Sequence, residues 1–236
     1  MDLKEEGILG GEAGAHWYYR AKSAALIRMI DGLRPRSVLD VGAGSGFFSR
    51  AILSMPGTVS ATCVDPGYAA DRDELIGGKP LLFRRGVDRS EADLVLMMDV
   101  LEHVDDDIGL VREYAAKVPR GVRFVITVPA FMFLWSGHDV FLEHRRRYTL
   151  GRIEAVLRAG GLGVERGCYF YGVLFPVAAA SRLIGRARRR AEPQSQLRRH
   201  GALPNAALWW ACRAELPFFR ANRLAGLTAM VLAAKA

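Results

Sequence analysis

Residues 38–50, VLDVGAGSGFFSR, place three glycines within five positions directly behind a short apolar run. An apolar, β-rich stretch that ends in such a turn delivers the chain from a strand into a tight loop and then into a helix. This junction constrains the fold more than any other feature, because strand–glycine turn–helix is where open α/β sheets hold nucleotides. The same alternation runs on. Candidate strands at Ser37–Val41, Ser60–Val64, Leu81–Arg84, Ala92–Met98, Val122–Val128, Leu162–Phe170 and Leu227–Ala233 are separated by helical patterns, the mark of a parallel sheet with crossover helices. Helices are expected from His16 to Leu33, stopped before Pro35, and from the capping residue Thr149 to Gly160 and Gly161. With 236 residues, half of them hydrophobic, one core is enough, and residues 1–236 read as a single α/β domain.

The glycine spacing excludes the commonest occupant. A dinucleotide fold needs G-x-G-x-x-G, with the third glycine allowing close helix packing. Gly42 and Gly44 fit, but the third position is Phe47 and the remaining glycine is Gly46. Asp40 at the mouth of the loop would repel a pyrophosphate and attract a cation. Asp65 ends the next strand, 19 residues beyond Gly46, where a carboxylate can accept hydrogen bonds from both hydroxyls of a ribose. A ribose without pyrophosphate, but with positive charge, describes S-adenosylmethionine.

On these residues the sequence resembles the class I S-adenosylmethionine-dependent methyltransferases. The resemblance rests on VLDVGAGSG, on Asp65 after the second strand, and on ADLVLMMDVLEHVDDD at the fourth; VLEHVDD is similar to the branch that includes ubiquinone-type O-methyltransferases. It implies a Rossmann-like, seven-stranded, mostly parallel sheet with an antiparallel last strand, helices on both faces, and a helical insertion between strands six and seven. It also implies that Asp40 and the backbone of Gly42, Ala43, Gly44 and Gly46 hold the methionine and ribose part of S-adenosylmethionine, and that Asp65 takes the ribose hydroxyls. Asp88 is the candidate for the adenine amine, with Pro66 and Asp99 lining the nucleoside pocket.

Methyl transfer needs an aligned nucleophile, exclusion of water and, where a proton must leave, a base. Three loops should meet at the reacting face: 99–107, 129–148 and 172–220. His103 in LEHVDDD suits a general base, or a helix-start histidine bonded to its acidic neighbours. Glu102 with Asp105, Asp106 and Asp107 has the composition of a magnesium site, but a solvated acidic helix start is the plainer reading, and no metal is expected. SGHDVFLEHRRRYT is the richest stretch. It offers His138 or His144 as proton acceptor, Arg146 or Arg147 as a clamp on an anionic group, and Trp135, Asp139 and Tyr148 as further acceptor contacts. HWYYR at 16–20 suggests an aromatic lid within an N-terminal helical region, 1–34.

Charge divides the chain. Residues 1–118 carry 14 Lys and Arg against 19 Asp and Glu; residues 119–236 carry 19 against 6. The insertion 172–220 is apolar, then basic, then aromatic, which suggests a cap over the acceptor and contact with an anionic membrane surface. MDLKEEGIL is acidic rather than signal-like and no apolar run reaches about 18 residues, so a cytoplasmic protein, able to meet a membrane, is expected. Cys63, Cys168 and Cys212 show no metal or disulfide spacing. A small-molecule acceptor is favoured over nucleic acid, because TVPA stands where base-modifying methyltransferases carry an NPPY-like tetrapeptide and no RNA-binding module is present. Nucleic-acid methylation and a non-catalytic S-adenosylmethionine-binding protein remain the alternatives.

Overall fold

A computed structural model describes residues 14–186 and 201–236. The parts of the N-terminal lid and of the insertion that fall at 1–13 and 187–200 lie outside the described residues. The elements are α1 (Trp17–Met29), β1 (Ser37–Val41), α2 (Phe47–Leu53), β2 (Ser60–Val64), β3 (Arg72–Ile76), β4 (Lys79–Arg84), β5 (Leu94–Met98), α3 (Asp107–Lys117), β6 (Arg123–Pro129), α4 (Gly137–Phe141), α5 (Leu150–Ala159), β7 (Leu162–Phe170), α6 (Phe175–Arg186), α7 (Ala202–Glu215) and β8 (Thr228–Lys235).

The strands form one sheet in the order β3-β4-β2-β1-β5-β6-β8-β7. From β4 to β6 every pairing is parallel, and β8 runs antiparallel to both β6 and β7. Each residue of β5 is buried. Leu94, Leu96 and Met98 enter a core shared with α1 and α2, and Val95 and Met97 enter a second core with α3 and α5. A strand covered on both faces reads as an unbroken apolar run, as LVLMM does.

The sheet has eight strands where seven were expected. The additional β3 pairs antiparallel with β4 across Gly77 and Gly78, both at positive φ. A Gly-Gly pair between two extended segments is a hairpin signal. It was obscured because Arg72–Ile76, RDELI, is largely exposed and has the charged composition of a protected edge strand rather than of a core one.

The two predicted covers form one assembly. Trp17 N donates to Asn205 Oδ1 at 2.8 Å, Asn205 Nδ2 donates to Ala15 O at 3.0 Å, and the Arg20 guanidinium lies 4.4 Å from the Trp209 ring centre. Cys212 of α7 and Phe219 beyond it are buried in the core on the α1 face. Tyr171 OH donates to Tyr18 O at 2.6 Å and the two rings stack. Below them the ammonium of Lys22, with its side chain fully buried, pairs with Asp99 and donates to Tyr18 OH. Burial opposes that charge, but Asp99 overrules it and holds Lys22 above the usual lysine range. Lys22 thus latches α1 onto the end of β5. Lys22→Met should cost about 1.5–3 kcal/mol in denaturant unfolding, the value of a charge-assisted bond, and Lys22→Met/Asp99→Asn should recover part of that loss.

Candidate active site

β1 ends in a loop that only glycine can follow. Gly42, Gly44 and Gly46 have φ of 64°, 52° and 73°, and a Cβ on Gly42 would lie 2.7 Å from Val100 Cγ2. The loop is therefore pressed against the residue that follows Asp99. Asp65, at the end of β2, accepts from Gly44 N at 3.1 Å and from Gly67 N at 2.9 Å, and Tyr68 OH donates to Gly44 O at 2.6 Å. Ala43 is buried. Pro66 and Asp88 stand exposed beyond β2 and β4.

Asp40 is 1% exposed. One oxygen accepts from Ser49 Oγ at 2.8 Å, while Oδ1 has no partner. Burial pushes its pKa up to about 6, against the hydrogen bond from Ser49. Ser45 Oγ, in the same loop, is also buried without a partner. A backbone bared for close approach, a carboxyl oxygen lacking a donor and an unengaged hydroxyl fit a ligand with hydrogen-bonding groups and positive charge. S-adenosylmethionine is such a ligand.

Beside this loop lies a cavity of about 390 Å³, within the range of small-molecule sites. The N-terminal aromatics Trp17, Tyr18 and Tyr19 form one wall, Asp99, Glu102 and His103 a second, and His138, His144 and Arg147 a third, while Ala178, Ser181 and Arg182 of α6 close it. All three candidate histidines therefore reach the same space, drawn from two different loops. The indole Nε1 of Trp17 is buried without a partner.

The HRRRY segment is placed differently from expectation. Arg145 N donates to Glu102 O at 2.7 Å, and its guanidinium donates to His103 O and Asp105. Arg146 donates to Val104 O, Asp105 O and Asp107. Tyr148 is fully buried, with its hydroxyl on Leu101 O at 3.0 Å and Asp107 Oδ2 at 2.8 Å. These side chains strap the loop after β6 to the loop after β5, so Arg146 and Tyr148 are not brought to the cavity. Asp139 is a hub rather than an acceptor contact. It receives Arg147 Nε at 2.6 Å and Nη2 at 3.0 Å, His144 Nδ1 at 3.0 Å, and Ser136 N at 2.8 Å. Trp135 ends the short turn Met132–Leu134 and does not line the cavity.

The acidic run also divides. Asp105 pairs with Arg145, Asp106 caps α3, and Asp107 is taken by Tyr148 and Arg146. These groups make no common cation site with Glu102. Glu102 itself, expected to be solvated, is 0% exposed and neither carboxyl oxygen has a partner. Its burial inside the cavity wall was hidden by the acidic neighbours that suggested a wet helix start.

Two further residues complete the electrostatics. Arg182 donates to Leu134 O and lies 3.9 Å from Asp139; burial, then the charge of Arg147, pushes it down to about 10. Burial also pushes His138 down to about 4, despite Asp139. His138 is therefore neutral and a weak base. His144 is oriented through Nδ1 by a carboxylate, the usual way of presenting the other ring nitrogen to a ligand.

The comparisons agree with this geometry. A family model described as a methyltransferase domain matches residues 15–166, and the chain belongs to that family of S-adenosylmethionine-dependent methyltransferases. A ubiquinone biosynthesis O-methyltransferase of Vibrio parahaemolyticus is 28% identical over 132 residues, 50% of this chain and 56% of that protein, so the match spans little more than half of the relative. Among solved structures, a methyltransferase in complex with its Haloferax volcanii activator superposes with a TM-score of 0.58 at 17% identity, covering 98% of this chain and 95% of that one. The pyocyanin biosynthetic protein PhzM gives 0.54 at 18% identity, covering 100% and 62%. These two show the shared fold.

Three outcomes follow. Asp65→Ala should weaken S-adenosylmethionine binding by about 1.5–3 kcal/mol in calorimetry. Asp40 binds its proton more tightly folded than unfolded, so its effect is to lower stability as pH rises from about 4 to about 6. Asp40→Asn should accordingly raise unfolding free energy above that window by up to about 3 kcal/mol, and lose cofactor affinity. Tyr148→Phe should cost about 1–3 kcal/mol of stability and leave cofactor affinity unchanged.

Proposed function

We propose that the protein transfers a methyl group from S-adenosylmethionine to the hydroxyl of a small acceptor that carries an anionic group and is linked to a lipid or glycan. The observation that carries this reading is the junction of loop and cavity: Val100 touches Gly42, and Asp99 and Glu102 on either side of it line the acceptor space. S-adenosylmethionine, when bound, supplies an electrophilic methyl group. The chain aligns the acceptor, excludes water behind the α1–α6 cover, and manages the acceptor's proton and charge. Arg147 and Arg182 both approach Asp139, and their guanidinium groups on that wall are suited to an anion. His144, held by Asp139, hands a proton onward. The O-methyltransferase relative from Vibrio supports a hydroxyl acceptor.

A lipid-linked acceptor is supported by the insertion. On α6, Val177, Leu183 and Ile184 are 54–74% exposed, and on α7 Leu203 and Trp210 are 85% and 63% exposed. Residues 172–220 hold nine arginines and two glutamates in the sequence. Apolar and basic groups together favour anionic bilayers. No helix among the described residues is long and apolar enough to cross a membrane.

Incubation with S-adenosylmethionine and a set of polar-lipid and sugar acceptors should yield S-adenosylhomocysteine in an acceptor-dependent manner. Cofactor binding without turnover on any hydroxyl acceptor would favour the binding-protein alternative. In flotation, recovery with anionic vesicles should exceed that with zwitterionic ones; equal recovery removes the membrane contact.

A further inference from the structure

Every acid around the cavity is engaged except one. Asp99 is held by Lys22 and Thr127, Asp139 by Arg147, His144 and Ser136, and Asp107, behind the wall, by Tyr148 and Arg146. Glu102 lines the same cavity, is 0% exposed, and offers two oxygens that accept no hydrogen bond from the described residues. A buried carboxyl left open is costly, and such groups are rare unless a ligand completes them.

We propose that Glu102 is a catalytic residue, the carboxylate that receives the acceptor's reacting hydroxyl and takes its proton as the methyl group is transferred. The proposal rests on the methyltransferase reading above and adds to it the group on which the proton first lands. Glu102 lies two residues beyond Val100, the residue that a Cβ on Gly42 would meet, and it lines the cavity beside Asp99 and Met98 at the end of β5. Its main chain is fixed, because Arg145 N donates to its carbonyl. A carboxyl oxygen of Glu102 and one ring nitrogen each of His103 and His144 lie within 4.8 Å of one another. The two rings meet edge-to-face with centres 4.8 Å apart. Asp139 anchors the far nitrogen of His144, which gives the proton a next station.

The step balances. The hydroxyl oxygen forms the bond to the methyl carbon while the sulfur–carbon bond breaks and its electron pair returns to sulfur. The hydroxyl proton passes to Glu102. The positive charge of the donor and the negative charge of the carboxylate disappear together, leaving a methyl ether, a neutral thioether and a carboxylic acid. Burial, then the charge of Asp99, pushes Glu102 well above the usual carboxylate range, with Lys22 and Arg147 opposing. His103 and His144 complete the titratable groups facing it. A carboxylate pushed upward in this way is a stronger base than an exposed one.

The test compares wild type, Glu102→Gln and Glu102→Asp using two probe acceptors, 4-hydroxybenzoate and 4-mercaptobenzoate. The thiol is already ionised at mildly alkaline pH and needs no base. Glu102→Gln should bind S-adenosylmethionine within about twofold of wild type. It should lose about 10²–10⁴-fold in methylation of the hydroxyl probe, the usual contribution of a general base, and only a few-fold with the thiol, with Glu102→Asp partly restoring the first activity. Infrared difference spectra between wild type and Glu102→Gln at the pH of the assay should contain an ionised-carboxylate band that belongs to Glu102. Equal loss on both probes, or no loss on the hydroxyl probe, overturns the proposal. So does activity that a chelator abolishes and a divalent ion restores, since the cluster would then be holding a cation. Should wild type methylate neither probe, absence of a Glu102-dependent ionised-carboxylate band at the assay pH overturns it. Wild type that fails to bind S-adenosylmethionine overturns the methyltransferase reading instead.

Discussion

Burying an unpaired carboxyl costs several kcal/mol, and among the described residues Asp40, Glu102, Asp107 and Asp139 are buried beside the carboxyl edge of the sheet. Asp40, Glu102 and Asp139 are 1%, 0% and 0% exposed. Asp107 is partnered by Tyr148 and Arg146, and Asp139 by two arginines, a histidine and its own capping box. Asp40 has one unengaged oxygen and Glu102 has two. Their positions divide the labour of the site: Asp40 lies under the glycine loop, Glu102 in the neighbouring cavity. On the reading proposed above, the cost of both groups is met when each receives a ligand.

The rest of the architecture holds those two groups in register. Parallel strands β1 and β5 are adjacent, so their carboxyl ends set the glycine loop against Val100. Arg145 and Arg146 strap the segment containing Glu102 and His103 to the loop after β6. Arg147 ties that loop to Asp139. From the opposite side Lys22 latches α1 to Asp99, and Asn205 of α7 holds the start of α1. The N-terminal helix and the described part of the insertion are thus joined to each other.

Much of this was legible in the sequence, for identifiable reasons. The parallel strands are unbroken apolar runs because both of their faces are buried, and the glycine loop is visible because its backbone conformation excludes other residues. Asp40 and Asp65 follow from the spacing of two strand ends. What escaped was decided by long-range partners. RDELI looked like a polar connection because an edge strand must be protected. Arg146, Tyr148 and Asp139 looked like ligand-binding groups because their loop is rich in chemistry, yet Arg146 and Tyr148 donate to carbonyls and carboxylates about 40 residues away, and Asp139 accepts from Ser136, His144 and Arg147 of its own loop. Glu102, Lys22 and Arg182 carry no local signal of burial, since a charged side chain acquires such an environment only when the loops and helices meet.

The most direct test is a crystal structure of the protein with S-adenosylhomocysteine. The account predicts the nucleoside lying on the Gly42–Gly46 turn, its sugar hydroxyls on Asp65, and its amino-acid end near Asp40. A turn left bare in crystals grown with saturating nucleoside, or the nucleoside lodged away from β1 and β2, would contradict it.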